Sequence, residues 1–267
     1  MTDTNQLSDQ SIPERAVIKV STEEPKPPQS AMAIHAHPDD QEFTIAGTLA
    51  KWARAGCEIV TVCITSGDAG SNDKTEAQMT KPQLAQIREQ EQRDACRVLG
   101  VRHVEFLHYP DGTLQPTLEL RRDLTRLIRK YKPEVVICGD PTVRFYGNSY
   151  MNHPDHRVTA DVALDAVFPS AGTKFIFPEL LMEGFEPHEV RKVFIHGSDK
   201  PETFIDISPV IDVKIAALKE HRTQVHDWDP GEMIKEWAKE EGKPRGLEFA
   251  EAYRVMILKE DPEEKKD

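Results

Sequence analysis

Hydrophobic and polar positions change period along this chain in a regular order. Residues 31–36 form a short apolar run and predict a buried strand. Residues 42–55 carry Phe43, Ala46, Leu49, Ala50 and Ala53 at helical spacing and stop at Gly56. Residues 58–65 are rich in Val, Ile and Thr and predict a strand. A polar loop at 65–71 precedes a long helix at 81–99, with Pro82 in its first turn and Gly100 just past its end. Strands follow at 103–107 and 134–138, with a helix at 118–130 between them. The pattern continues with a helix at 155–166, strands at 192–196 and 203–207, and a helix at 209–225. Residues 226–246 place Trp228 and Trp237 among many charges and predict a peripheral helical excursion.

Strands separated by helices of this length imply right-handed crossovers and a mainly parallel sheet. The expected fold is therefore α/β, with helices on both faces of one sheet. In such sheets ligands bind beyond the carboxyl ends of the strands. Chemistry is expected just after residues 36, 65, 107 and 138. The expected organisation is a polar, proline-rich tail at 1–30, one domain at 31–259 and a charged tail at 260–267. No internal repeat is present.

Composition narrows the class. The chain has 267 residues, enough for a sizeable core, and its formal net charge is −12. With no basic run, it is a poor partner for nucleic acid or an anionic membrane. The apolar runs are far too short for a transmembrane helix. The first 30 residues lack the apolar stretch of a signal peptide. Four scattered cysteines, none in a CxxC pair, fit reduced thiols and a cytoplasmic location.

The histidines point to chemistry. Four of the ten fall within two segments, His35-Ala36-His37-Pro38-Asp39-Asp40 and His153-Pro154-Asp155-His156. Each segment contains a His-Pro-Asp turn, and each lies between a predicted strand and a helix. His and Asp side chains are ligands for a divalent cation such as zinc. Two histidines and a carboxylate leave a coordination position for water. Of two adjacent aspartates, one can bind the metal while the other faces that water as general base. His156 is the candidate ligand of the second segment, and His153, oriented by Asp155, its non-ligand partner. The competing reading of each segment is a helix cap made by an Asp. His35, inside the strand, reads as a hydrogen-bonded core histidine.

Ala36 to Phe43 in the form HPDDxE, followed by Ala46-Gly47-Thr48-Leu49-Ala50, resembles the signature of the LmbE-like, or PIG-L-like, zinc de-N-acetylases. Further marks follow in order. They are Arg88-x-x-Glu91-x-x-x-Ala95 running to Leu99-Gly100, Tyr109-Pro110-Asp111-Gly112, and His153-Pro154-Asp155-His156-Arg157. Lys214-x-x-Ala217 and His221-Arg222-Thr223-Gln224 complete the series. The resemblance spans roughly residues 31–225 and implies a single-domain Rossmann-like fold. It implies one zinc ion per chain held by His37, Asp40 and His156, with Asp39 as general base. His153, tuned by Asp155, would stabilise the oxyanion or protonate the leaving amine. Arg88 and Asp111 match positions that contact the substrate sugar. Assembly into a homo-oligomer, a trimer or hexamer, is implied as well. The chain departs from the pattern at Thr44, Ala46 and Met151. Tyr146 and Tyr150 lie close to the position where some relatives carry a tyrosine.

The expected function is zinc-dependent removal of an N-acetyl group from an N-acetylglucosamine-type sugar or glycoconjugate. Two rivals remain on sequence grounds. His37, Asp39 and His156 also satisfy the facial triad of non-haem iron enzymes. A metal-dependent sugar-binding module without catalysis is the other.

Overall fold

The computed structural model describes residues 24–71, 75 and 77–260. The first 23 residues of the expected N-terminal tail and residues 261–267 of the C-terminal one lie outside the described residues.

Chain order is β1 (Ser30–His35), α1 (Asp40–Thr44), α2 (Ala46–Arg54), β2 (Glu58–Thr65), α3 (Lys81–Leu99), β3 (His103–Tyr109), α4 (Leu118–Tyr131) and β4 (Val135–Gly139). A small hairpin, β5 (Phe145–Tyr146) and β6 (Tyr150–Met151), leads into α5 (Pro154–Asp165). The chain continues through α6 (Glu179–Met182), β7 (Lys192–His196), β8 (Thr203–Asp206), α7 (Ile211–Leu218), α8 (Arg222–Val225), α9 (Gly231–Gly242) and β9 (Ala250–Ile257). Seven strands form one sheet in the order β3-β2-β1-β4-β7-β9-β8. The pairs from β3 to β7 are parallel; β9 runs antiparallel to both β7 and β8.

Side-chain alternation builds the two cores. Along β1, Ala31 and Ala33 point to one face, and Met32 and Ile34 to the other. The first face packs under α2, α3, α7 and α9 through Leu49, Leu99, Ile215 and Ile234. The second packs under α4 and α5 through Leu124, Ile128, Val162 and Ala163. Both faces of the central strands are covered, so β2 and β4 read as continuous apolar runs rather than alternating ones. Helix ends follow local chemistry. The Gln83 side chain accepts from the Thr80 N–H at 2.9 Å at the start of α3, and Gly100 adopts the left-handed conformation at its end. Thr117 caps α4 by accepting from Leu120 N–H at 3.2 Å.

The sequence reading differs from the structure in several places. The expected helix at 209–225 is divided into a 3-10 turn at Ser208–Val210, α7 and α8, with residues 219–221 between the two helices. The expected helix at 42–55 is broken into α1 and α2 at Ile45, whose φ of −120° and ψ of 6° leave the helical region. The hairpin β5–β6 and the strand β9 are absent from the sequence reading. The segment at 226–246 holds the expected helix, α9, which packs against the core through Ile234 and Ala238 while Trp237 stays half exposed. No helix among the described residues is long and apolar enough to cross a membrane.

Candidate active site

The site forms where β1 ends. His37 lies two residues beyond the strand, and Pro38 leads into Asp39, which has the left-handed backbone φ of 86°. Helix α1 then starts at Asp40, whose Oδ2 accepts from the His37 backbone N–H at 2.9 Å. The second histidine segment arrives from the far side of the sheet. His153 is the N-cap of α5: its Nδ1 accepts from the Asp155 N–H at 3.2 Å, and Pro154 occupies the first turn, where a missing N–H costs nothing. The cap reading of this motif is realised, but the cap is His153 rather than Asp155.

Three side chains from the two segments converge. His37 Nδ1 lies 3.4 Å from Asp40 Oδ2, His156 Nε2 lies 3.0 Å from Asp40 Oδ1, and the two histidine nitrogens are 3.3 Å apart. Tetrahedral ligands at zinc–nitrogen and zinc–oxygen distances stand about 3.3 Å from one another. The donor set thus fits a single cation. His37, His153 and His156 also form a candidate metal group, and His37, Asp111 and Asp155 another, each with its donor atoms within 4.8 Å. The second group engages the opposite nitrogen of the same ring. His37 Nε2 lies 3.0 Å from Asp111 Oδ1 and 3.4 Å from Asp155 Oδ2. These two carboxylates can accept a hydrogen bond from Nε2–H and so fix the tautomer that frees Nδ1 as a ligand.

The field of the site favours positive charge. Burial opposes the charge on His37, but Asp40, Asp111 and Asp155 outweigh it and push its pKa up to about 12. Burial works against Asp40 too, yet His156 and His37 hold its carboxyl well below the usual range. A cation among these donors meets the same field. Asp39 differs from its neighbour. Burial, opposed by Arg88 and reinforced by Asp40, pushes its carboxyl up to about 6, close to where a general base works at neutral pH. His153 is lowered by burial and then by His37 and His156, which favours its neutral form. Since its Nδ1 accepts a hydrogen bond, the proton of the neutral ring sits on Nε2.

The remaining expected site residues have the following partners. Asp155, expected to orient His153, does so through its backbone N–H, while its carboxylate accepts from Gly112 N–H at 2.7 Å and Leu114 N–H at 3.2 Å and faces His37. Arg88 is expected to meet the sugar. It is 3% exposed, and its guanidinium donates to Gly67 O at 2.8 Å, Pro38 O at 2.7 Å and Asp39 Oδ2 at 2.9 Å. Asp111, also expected at the sugar, is buried and splits its oxygens between His37 and the Ala69 N–H at 2.8 Å. Arg88 thus lies against Asp39, and Asp111 against His37. The iron-type triad loses its carboxylate: Asp40, not Asp39, lies between the two histidines, and Asp39 is held by Arg88. His35 is buried as expected, but its Nε2 has no hydrogen-bond partner, and its ring lies 5.6 Å from that of His196. Tyr146 donates to Gly197 O at 3.2 Å, while Tyr150 stays exposed on the hairpin.

Sequence reasoning missed Gln92. The (i, i+4) spacing of Arg88 and Gln92 places both on one face of α3, and that face meets the Pro38–Asp39 turn. The spacing was legible; the turn it would meet was not.

Residues 32–167 match the family described as GlcNAc-PI de-N-acetylase, PIG-L. The chain is 30% identical over 233 residues to diacetylchitobiose deacetylase of Thermococcus kodakarensis, covering 85% of this chain and 83% of that one. It is 26% identical over 278 residues to 1D-myo-inositol 2-acetamido-2-deoxy-alpha-D-glucopyranoside deacetylase 1 of Saccharopolyspora erythraea, covering 85% and 89%. Among solved structures, N,N'-diacetylchitobiose deacetylase from Pyrococcus horikoshii superposes with a TM-score of 0.79 at 30% identity, covering 86% of this chain and 84% of that one.

Proposed function

The chain belongs to the PIG-L, or GlcNAc-PI de-N-acetylase, family, and from that premise we propose that it is a zinc-dependent hydrolase of the N-acetyl group of an N-acetylglucosamine-type sugar or glycoconjugate. It is an amide-hydrolysing enzyme and not a passive binding module. The observation that carries the zinc reading is the triangle of His37 Nδ1, Asp40 and His156 Nε2 with sides of 3.0–3.4 Å.

When bound there, zinc would polarise the acetyl carbonyl and acidify a coordinated water. The protein's own groups supply the rest. Asp39, held by Arg88 and poised near neutrality, takes the proton of the attacking water. His153 donates its Nε2–H to the oxygen on which negative charge develops. The proton taken by Asp39 is then available to the nitrogen, since an amide cannot leave as an anion. Asp111 and Asp155 hold the His37 ring in its ligating tautomer.

The relatives favour short N-acetylglucosamine oligosaccharides as the first substrates to test. Assembly into a homo-oligomer, a trimer or hexamer, belongs to the same proposal. Phe168, Phe175 and Met182, exposed by 72%, 82% and 90%, supply apolar surface of the kind an assembly covers. A cytoplasmic location is also part of it, supported by four unpaired, buried cysteines.

The test is amine release from N,N'-diacetylchitobiose and a panel of N-acetylglucosaminides, with and without chelator and added zinc. Chelation abolishes release and zinc restores it. Asp39→Asn keeps near-stoichiometric zinc while turnover falls by at least about 10²-fold. Asp40→Asn loses zinc first and is partly rescued by excess metal. Full activity in a chelated, metal-free preparation overturns the reading. Zinc rescue of Asp39→Asn but not Asp40→Asn exchanges the two roles.

A further inference from the structure

Asp39 carries its carboxylate on a backbone that a non-glycine residue rarely adopts, with φ 86° and ψ −26°. Such a conformation persists only where its surroundings hold it. Here α3 grips both polar ends of the single peptide plane that enters it. Arg88 donates to the Pro38 carbonyl at 2.7 Å, and Gln92 Oε1, one helical turn on, accepts from the Asp39 N–H at 2.9 Å. Fixing that plane at both ends fixes ψ of Pro38 and φ of Asp39, and hence the direction in which the Asp39 side chain leaves the backbone.

The Gln92 amide is itself directed. Its Nε2 lies 3.2 and 3.3 Å from the two oxygens of Glu42, and Glu42 Oε2 lies 3.1 Å from His221 Nε2. All three side chains are fully buried. Reversing the amide would set its carbonyl against the Glu42 carboxylate and its NH2 against the Asp39 N–H, with no water to relieve either clash. His221 comes from the turn after α7 and opens the last of the sequence marks.

We infer that Gln92 is a positioning residue for the general base, and that the buried Glu42–His221 pair sets the direction of its amide. The inference rests on Asp39 being the base, and it adds a buried relay behind Asp39, His221 to Glu42 to Gln92.

The test is a double-mutant cycle at saturating zinc. Gln92→Met keeps length and removes the acceptor. It is expected to bind stoichiometric zinc and leave KM within about twofold, while kcat falls about tenfold or more. In an Asp39→Asn background, where the base is already gone, the same substitution is expected to change kcat by less than about twofold. His221→Asn is expected to show the same pattern with a smaller loss, and it serves alone if Gln92→Met does not fold. Equal losses in both backgrounds, or unchanged kcat in the single variants, overturn the inference and leave the deacetylase reading standing. Full turnover of Asp39→Asn instead removes the base assignment and the inference with it.

Discussion

His37 uses both ring nitrogens, one toward Asp40 and His156, the other toward Asp111 and Asp155. The short motifs made the first set legible, because the turn His37-Pro38-Asp39-Asp40 brings ligand and carboxylate together within four residues. The second set was not legible, since nothing local shows that Gly112 and Leu114 draw Asp155 under the ring or that Asp111 meets Nε2. Removing one carboxylate behind a metal ligand typically costs 10–100-fold in affinity. Asp111→Asn is therefore expected to weaken zinc by about 10–100-fold with the three ligands intact, read by competition with a chromogenic chelator; unchanged affinity would return Asp111 to the substrate. His221 gives a second prediction at this scale. Burial opposes its charge, but Glu42, aided by Asp39 and opposed by Arg88, raises its pKa above 6.5. A raised folded pKa means that the pair's contribution is complete below the unfolded value and is lost as pH rises through the folded one. The urea midpoint of the protein should fall above about pH 6.5, and His221→Gln should flatten that fall. Parallel pH curves for the two proteins would mean that His221 is neutral in the fold.

The elements were legible wherever periodicity alone decides. Helix α3 and strands β2 and β7 start and stop where the pattern places them. The break between α1 and α2 was not, because its cause lies two hundred residues away. Glu251 on β9 accepts from the Gly47 and Thr48 N–H groups at 2.8 and 2.7 Å, capping a new helix start in place of a local side chain. Its charge is balanced by Lys214 on α7 at 2.7 Å, and Tyr253 donates to it at 3.1 Å. Gly47 is required at this junction, since a Cβ there would stand 2.7 Å from Ile207 Cγ2. Lys214 belonged to one of the sequence marks without any evident task; this buried pair is the task. Lys214→Met leaves Glu251 charged and buried without its partner, which costs about 3–5 kcal/mol. Chemical denaturation should show a loss of that size. A variant within about 1 kcal/mol of the parent would mean that the helix N–H groups and Tyr253 suffice for the carboxylate.

At the scale of the molecule, alternation of strand and helix predicted the parallel half of the sheet and the edge on which chemistry gathers. It did not predict β9, because Glu251 and Arg254 interrupt what would otherwise read as an apolar strand. That strand lies between β7 and β8 and joins β8 to the sheet. Consequently the segment that carries every candidate ligand and catalytic group does not contain what holds them. Residues 24–171 include His37, Asp39, Asp40, Asp111, His153 and His156. They lack β7, β8 and β9, and with them Phe194, Ile205 and Tyr253 of the core that packs under α2 and α3. They lack α7 as well, and so Ile215 and Leu218 of the same core. Glu251 would be missing at the start of α2, and His221 would be missing behind Glu42. β4 would become a bare edge. The expected outcome for a fragment of residues 24–171 is loss of cooperative urea unfolding and of stoichiometric zinc at micromolar metal. Both should be retained by the intact chain measured alongside it. A fragment that unfolds cooperatively and binds one zinc per chain would show that β7, β8 and β9 are dispensable to the site, and that Glu251 and His221 matter only to the remainder of the fold.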